Sequence, residues 1–387
     1  MTTKENLPNN LPTTRPLKIA YLTMSLAYLG GLEHTTIVKA NALAARGHNV
    51  SIVSTEDRKP HHVVASLIDP RVNIVTLGVR YSEVKPLSRR WLTIKLRHRK
   101  MLQHYIDKQH PDVLVSTGFV DRLPLLLCRT RRAAIIEESH LDRSEKLTLS
   151  QRLVNFFNDR IMAIKVDRYV MLTEHDRNLF TGDRSKVVVI PNPLTLKPKR
   201  SMCDRPIIIS VGRLHWQKDF HALIDVMTRV VTARPTWQLQ IWGDGTLHDE
   251  LQQHIERVHL TDHVKLMGAT DDVASALSQA SIFANTSLFE GFGLVYLEAM
   301  ACGLPIVATH NVGSDAVLAD SGAGLQRNIG DIEGMASDII RLIDDEALRH
   351  TMSERAVHRS LDFDKDTIID RVETLYRQLS RHTTKDL

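Results

Sequence analysis

The sequence predicts an α/β protein of two domains, each a doubly wound parallel sheet covered by helices. The length of 387 residues exceeds that of one ordinary domain, which makes two domains the default. In both halves, short apolar runs rich in β-branched residues alternate with helical stretches. A stretch with four prolines, residues 191–206, separates the halves. Ligands of such sheets bind beyond the carboxyl ends of the strands, so we expect a site in a cleft there.

The predicted strands are short and bounded by turn residues, as is typical of strands buried on both faces. The first half has seven, over residues 17–24, 49–55, 72–78, 112–118, 133–139, 167–173 and 186–192. The second half has five, over residues 206–212, 237–243, 263–268, 281–287 and 304–310. Helices between them are expected to make right-handed crossovers.

These elements divide the chain into five segments. We expect a disordered N-terminus (1–16), a first domain (17–190), a linker (191–206), a second domain (207–365) and a C-terminal helix (366–387). That last helix is amphipathic and is expected to pack back on the first domain.

Composition excludes several classes of protein. The chain is 43% hydrophobic and 25% charged, near the average for soluble proteins, and no apolar run approaches the roughly 20 residues of a membrane span. The opening residues have no apolar core, so we do not expect a secretory signal. Cys128, Cys203 and Cys302 lie far apart, without a CxxC, which argues against disulfides and a thiolate zinc site. We therefore expect a cytoplasmic protein.

Charge divides unevenly between the halves. Residues 1–200 hold 33 basic and 18 acidic side chains, a net charge of +15, and residues 201–387 have a net charge of −10. A basic surface attracts nucleic acid, anionic lipid or phosphorylated ligands, or the imbalance lies on solvated faces without a partner.

Glycines and cations follow the predicted strands. Gly30 and Gly31 open the first helix, where the backbone can approach a phosphate or simply make a tight turn. Arg213 and Lys218 follow the first strand of the second half, and together can neutralise a diphosphate. Gly243 ends the next strand in a Gly-Asp-Gly turn that permits a sharp bend or close contact with a ligand.

The segment 287–310, SLFEGFGLVYLEAMACGLPIVATH, carries the strongest signal. Glu290 precedes Gly-Phe-Gly, Glu298 lies inside the following helix, and the helix amino end at Gly293 and Leu294 offers N–H groups to an anion. An apolar helix has little structural reason to carry both acids and both glycines. His140, after another predicted strand, could bind a ligand or be structural, and the pattern alone does not select it among 19 histidines.

Taken in order, GGLE, VGRLHWQK, WGDG and SLFEGFGLVYLEAMACGLPIVAT resemble glycosyltransferase family 4, retaining enzymes with the GT-B fold of two Rossmann-like domains. The resemblance runs from residue 17 to about residue 378. It implies an acceptor-side first domain and a donor-binding second domain. It implies catalytic roles for His140, Arg213, Lys218 and Glu290, and donor binding by Gly30, Gly31, Gly243, Phe292, Gly293, Leu294 and Glu298.

Within this resemblance each residue has an expected contact. Arg213 and Lys218 would hold the donor diphosphate, Glu290 the donor sugar, and Glu298 the ribose. His140, matched only by position, would face the donor sugar. The sequence departs from the family at IPNPLT (190–195), a variant similar to bacterial surface-polysaccharide enzymes that often use UDP-sugars, and at Asp315, where glutamate is usual.

The expected reaction moves a hexose or N-acetylhexosamine from a nucleotide sugar, with a UDP-sugar as the expected donor, to a glycan or polyprenyl-diphosphate-linked acceptor. No metal and no other cofactor is expected, because Asp362 and Asp364, in the only DxD runs, lack a preceding strand. A nucleotide-sugar epimerase of the same fold and a non-catalytic sugar-nucleotide binding module stay open as alternatives. Nucleic acid is not an expected partner.

Residues 85–106, KPLSRRWLTIKLRHRKMLQHYI, concentrate the positive charge of the first half. Read as a helix, Trp91, Ile94, Met101 and Tyr105 fall near one side, with Leu102 and Ile106 beside them. Such a helix either lies on the anionic inner face of the cytoplasmic membrane or packs on the sheet with solvated arginines. Both interpretations stay open.

Overall fold

The chain divides into two compact units. The structure, a computed structural model, describes residues 15–27, 30–56, 62–81, 88–130, 133–140, 160, 162 and 164–385. Unit 1 comprises Met1–Glu138, Lys165–Asp167 and Glu373–Leu387, and unit 2 comprises Ser139–Ile164 and Arg168–Val372. The expected disorder of residues 1–16 falls almost wholly outside the described residues. The domain boundaries given above stay predictions.

Seven strands form the first sheet, in the order β3-β2-β1-β4-β5-β6-β7. They are β1 (Lys18–Thr23), β2 (Asn49–Ser54), β3 (Asn73–Thr76), β4 (Val113–Ser116), β5 (Ala134–Ser139), β6 (Arg168–Met171) and β7 (Val187–Val189). The described helices among them are α1 (Gly31–Ala45), α2 (His62–Leu67), α3 (Arg89–Gln109), α4 (Phe119–Leu127) and α5 (Glu174–Leu179). Each of the seven predicted strands is present, and neighbouring strands such as β1 and β2 pair in parallel.

Six strands form the second sheet, in the order β10-β9-β8-β11-β12-β13. They are β8 (Ile207–Val211), β9 (Gln238–Trp242), β10 (Val264–Gly268), β11 (Ile282–Asn285), β12 (Ile306–Thr309) and β13 (Gly324–Arg327). The helices are α6 (Phe220–Ala233), α7 (His248–Arg257), α8 (Val273–Ser278), α9 (Leu294–Ala301), α10 (Val312–Leu318), α11 (Ile332–Asp344), α12 (Glu346–Ser360) and α13 (Lys365–Lys385).

The prediction of five strands in the second half was wrong by one. The missed strand, β13, reads Gly-Leu-Gln-Arg, and it lies at the edge of the sheet where it pairs only with β12. A strand that is half-buried throughout needs no continuous apolar run, so the pattern used for the other strands does not find it.

Unit 1 contains a buried polar cluster. Lys39 of α1 pairs with Glu138 of β5 at 2.9 Å, and both side chains are almost completely excluded from solvent. The Tyr376 hydroxyl of α13 donates to the Glu138 carboxylate at 3.3 Å and lies 3.0 Å from the Tyr21 hydroxyl of β1. A buried charge needs such partners, because leaving it unpaired would cost several kcal/mol.

The carboxyl-terminal half of the basic helix α3 packs its apolar side on the core of unit 1. Leu102, Tyr105 and Ile106 of α3 belong to the core of unit 1. Leu92 and Leu96, one turn apart, are 53% and 50% exposed instead. Residues 85–87 of the predicted helix lie outside the described residues. None of the described helices is both long and apolar enough to cross a membrane.

Candidate functional site

Arg213 and Lys218 follow the carboxyl end of β8, at the centre of the second sheet. Backbone hydrogen bonds join the β8 loop to the loops of both neighbouring strands. On the β9 side, the Leu214 N–H donates to the Asp244 carbonyl at 2.9 Å. On the β11 side, the Leu288 N–H donates to the Gln217 carbonyl at 2.8 Å. Three loops therefore meet at one edge.

Gly243 has a structural reason to be glycine. Its φ of +146° lies in a region that favours glycine, and an added Cβ would lie 1.9 Å from the carbonyl oxygen of Gly212. Close approach of two backbones explains this glycine, and its contact with a donor stays a prediction.

Glu290 and Lys218 form an ion pair across the β8 and β11 loops. The Lys218 Nζ donates to the Glu290 Oε1, and the two side chains are 15% and 10% exposed. The Ser287 hydroxyl donates to the same carboxylate oxygen at 2.9 Å. The Gly313 N–H donates to the Glu290 carbonyl at 3.0 Å, which fixes the main chain of the loop.

Arg213 differs from Lys218 in its exposure and in its lack of a carboxylate partner among the described residues. Its side chain is exposed, and its guanidinium makes no hydrogen bond or ion pair with any residue that the structure describes. The edge thus presents one cation held by a carboxylate and one that is available to an anionic ligand.

The amino end of α9 lies directly after Glu290. Gly293 caps it with φ of +71°, and an added Cβ would lie 2.5 Å from the Tyr296 ring, so both conformation and space require glycine. Phe292 is buried and packs edge-on against Phe363, with ring centroids 5.8 Å apart. The Tyr296 N–H donates to the Gly293 carbonyl at 3.0 Å. The N–H groups of Leu294 and Val295 before it are suited to an anion.

Glu298 of α9 lies in a different environment. Its carboxylate accepts a hydrogen bond from the Thr195 hydroxyl at 3.3 Å. Burial raises the pKa of the Glu298 carboxyl to about 7. The Thr195 hydrogen bond and the positive charge of Lys218 lower this pKa, but by less than burial raises it. Thr195 belongs to the IPNPLT segment, so this sequence variant supplies a partner to Glu298.

The other predicted site residues lie in separate parts of the chain. Gly30 and Gly31 begin α1, where the Gly30 N–H donates to the Glu33 carboxylate at 3.0 Å. His140 directly follows β5 and is half-buried. Asp362 pairs with Arg359 at 2.7 Å, and Asp364 accepts from the Thr367 N–H at 3.0 Å, as expected of a solvated charge and a helix cap.

A buried hydrogen-bond network beneath the Glu290 loop was not predicted. The Asn285 side-chain oxygen accepts from the Tyr296 hydroxyl and the Ser287 N–H, at 2.9 and 2.8 Å. The Asn311 amide donates to the Tyr296 hydroxyl at 3.2 Å and to the Ser287 carbonyl at 3.3 Å. An asparagine at a strand end and a tyrosine in an apolar helix are the only sequence signals for it.

Two family models match the chain over adjoining ranges. The model described as "Glycosyltransferase Family 4" matches residues 29–197, and the model described as "Glycosyl transferases group 1" matches residues 196–359. An uncharacterized glycosyltransferase of Haemophilus influenzae is 29% identical, over 91% of this chain and 98% of that protein. The amylovoran biosynthesis glycosyltransferase AmsD of Erwinia amylovora is 22% identical, over 91% of this chain and 97% of that protein.

Solved structures confirm the predicted fold class. HepE of Anabaena, in complex with UDP and glucose, superposes with a TM-score of 0.75 and 21% identity, over 93% of this chain and 99% of that chain. The structure of TarM superposes with a TM-score of 0.76 and 15% identity, over 93% of this chain and 98% of that chain.

Glu298→Gln should change how stability depends on pH. Burial raises the folded pKa of Glu298 to about 7 from an ordinary value of 4.5, so the folded state holds a proton that the unfolded state releases. Wild type should therefore lose stability relative to Glu298→Gln between pH 5 and pH 8, by on the order of 1–3 kcal/mol. Urea unfolding of both proteins at the two pH values measures this. Glu256→Gln, on an exposed part of α7, controls for the lost charge. If the difference in unfolding free energy between wild type and Glu298→Gln is the same at both pH values, the raised pKa of Glu298 is wrong.

Proposed function

The chain belongs to glycosyltransferase family 4, and we propose that it transfers a hexose or N-acetylhexosamine from a UDP-sugar to a glycan or lipid-linked oligosaccharide, with retention of configuration. The family assignment rests on the two matching models. Relatives named for amylovoran synthesis and for lipopolysaccharide core synthesis, the latter in Rhizobium meliloti, support a role in bacterial surface polysaccharide.

One observation carries the proposal, the Lys218–Glu290 ion pair beside the exposed Arg213 at adjoining strand ends. A nucleotide sugar carries a diphosphate next to a ring of hydroxyls. Cations suit the diphosphate, and carboxylates accept hydrogen bonds from hydroxyls. Both kinds of group face one edge of unit 2, together with the amino end of α9.

The reaction requires stabilisation of a leaving nucleoside diphosphate. The bond from the anomeric carbon to the β-phosphate oxygen breaks, and that oxygen keeps the electron pair. The acceptor hydroxyl forms the new bond on the same face, and its proton passes to the leaving phosphate. Arg213, Lys218 and the α9 amino end would neutralise the developing charge as preorganised donors, in place of a metal ion.

The two carboxylates would have different tasks. Glu290, which pairs with Lys218, would accept hydrogen bonds from hydroxyls of the donor sugar. Glu298, about one turn after the start of α9, would accept hydrogen bonds from hydroxyls of the ribose. A double-inversion mechanism would need a nucleophilic carboxylate beside the anomeric carbon. We assign no residue to that role and favour attack on the face that the diphosphate leaves. His140 stays a candidate contact to the donor sugar.

The donor class can be tested directly with the full chain. UDP- and GDP-linked hexoses and N-acetylhexosamines are titrated by calorimetry, and turnover is followed with and without a lipid-linked acceptor. Release of UDP that increases with acceptor supports transfer. A changed donor sugar without acceptor would indicate an epimerase, and binding without turnover would indicate a binding module.

Glu290→Gln and Glu298→Gln should separate sugar recognition from nucleotide recognition. Glu290→Gln should lose transfer while UDP alone binds about as in wild type, because its expected contact is the sugar. Glu298→Gln should weaken UDP itself, because its expected contact is the ribose. Calorimetry with UDP and with the UDP-sugar measures both. Equal loss of UDP binding in the two variants would show that the division of tasks is wrong.

We also propose that α3 contacts an anionic membrane, where a lipid-linked acceptor would lie. Exposed Leu92 and Leu96 form a short apolar ridge on this helix. Exposed basic side chains flank the ridge, namely Arg89, Arg90, Arg97, Arg99 and Lys100. Each cation near an anionic surface contributes about 1 kcal/mol, and the leucines add buried apolar area.

Replacing Arg89, Arg90, Arg97 and Lys100 by Ser should abolish binding to vesicles with anionic lipid while donor hydrolysis persists. Arg99 is kept, because its guanidinium donates to the Leu127 carbonyl at 3.0 Å. Wild-type binding should weaken with salt and be small on neutral vesicles. Sedimentation with vesicles of phosphatidylglycerol and phosphatidylcholine measures it.

The control removes the same charge from unit 2. It replaces four exposed basic residues by Ser, namely Arg205, Arg257, Arg341 and Lys365. The control should bind vesicles as wild type does. Equal partitioning of wild type and the α3 variant at low salt would show that the positive charge of α3 has another purpose.

A further inference from the structure

An aromatic pair, exposed Trp216 and half-buried Phe289, lies in the two loops that carry the Lys218–Glu290 ion pair. The rings of Trp216 and Phe289 are 5.3 Å apart between centroids and inclined by 55°. Trp216 is 54% exposed, and it is the only aromatic residue among the strongly exposed large apolar side chains of the described residues. An exposed indole contributes little to the stability of the core, so a role in binding is the better explanation for a tryptophan at this position.

The local fold does not need an aromatic side chain at position 216. Trp216 begins a single 3₁₀ turn, Trp216–Lys218, that is held by its neighbour Gln217. The Gln217 amide donates to the Phe289 carbonyl at 2.8 Å, and its own carbonyl accepts from the Leu288 N–H at 2.8 Å. These bonds involve backbone and Gln217 alone. They fix the position of the indole without using it.

The aromatic pair belongs to the same two loops as Lys218 and Glu290. Phe289 directly precedes Glu290, and Trp216 lies two residues before Lys218. Both belong to the loops of β8 and β11, whereas the Gly243 turn lies on the opposite side of β8, after β9. A ligand bound at Lys218 therefore lies against the same two loops that carry the rings.

We propose that Trp216 and Phe289 form a platform for the apolar face of a pyranose ring. A pyranose presents C–H groups on one face and hydroxyls at its edge. Aromatic faces attract such C–H groups, and the carboxylate of Glu290, the residue after Phe289, would accept hydrogen bonds from the edge hydroxyls. The platform belongs to the proposed glycosyl transfer, and the ring is that of the donor hexose or of the sugar at the end of the acceptor.

Trp216→Ala tests the platform, with Trp216→Phe as the conservative variant and Leu361→Ala, a site 63% exposed in unit 2, as the control. Calorimetry with UDP and with the best UDP-sugar of the panel gives the donor arm. A donor platform predicts that Trp216→Ala weakens the UDP-sugar at least fivefold and UDP less than twofold. Trp216→Phe should recover most of the loss, and Leu361→Ala should match wild type.

Methyl pyranosides titrated into the UDP complex give the acceptor arm. The fluorescence difference between wild type and Trp216→Phe isolates Trp216 among four tryptophans. An acceptor platform predicts that a pyranoside shifts this emission and that Trp216→Ala loses pyranoside binding while UDP-sugar binding is unchanged.

Three results would contradict the proposed platform or the function on which it rests. If Trp216→Ala weakens UDP and the UDP-sugar by the same factor, the ring stacks on the base and the platform is refuted. If it changes neither donor nor pyranoside binding, the pair has no role in binding sugar. If wild type binds no nucleotide sugar, the proposed function itself fails, and this result is separate from any effect of Trp216.

Discussion

The ion pair between Lys218 and Glu290 is the constraint around which unit 2 arranges its edge. It joins two loops that belong to adjacent strands, and both of its side chains are nearly buried. A buried carboxylate that loses its partner costs several kcal/mol, so the two loops are held in one arrangement. That arrangement brings the Trp216 turn against Phe289 and the Gly293 cap directly behind Glu290. The Lys218 ammonium therefore lies at a fixed place on this edge, between the β8 loop that carries it and the β11 loop that carries Glu290.

The second predicted carboxylate, Glu298, lies in an environment of its own. Glu298 has the Thr195 hydroxyl instead of a close cation, and burial raises its pKa to about 7. The side chains of Asn285, Tyr296 and Asn311 are joined by hydrogen bonds, and Asn285 and Asn311 also bond the backbone of Ser287 in the Glu290 loop. Burial also raises the pKa of Tyr296, which therefore stays a neutral hydroxyl that can donate and accept. The polar network thus ties the end of β11 to α9 and to the amino end of α10.

Sequence reasoning found what depends on local pattern and missed what depends on distant neighbours. Runs such as Ile207–Val211 are buried on both faces and therefore predict strands correctly, whereas the half-buried edge strand Gly324–Arg327 has no such run. The Glu290–Glu298 spacing predicts a candidate site from local pattern, but the pairing of Lys218 with Glu290 joins residues 72 positions apart, which no local pattern predicts. Likewise, the periodicity of Arg89–Gln109 predicts an amphipathic helix, but only the packing in unit 1 decides that Tyr105 is buried and Leu92 is exposed.

A double-mutant cycle on Lys218 and Glu290 tests most directly the proposal that this pair acts as one unit in a transfer that needs no metal. The turnover kcat/KM for a UDP-sugar is measured in EDTA for wild type, Lys218→Ala, Glu290→Gln and the double variant. We expect wild type to stay active, each single variant to lose about 2–4 kcal/mol of transition-state stabilisation, and the double variant to lose far less than the sum. Loss of wild-type turnover in EDTA, or losses that simply add, would contradict the proposed role of the ion pair.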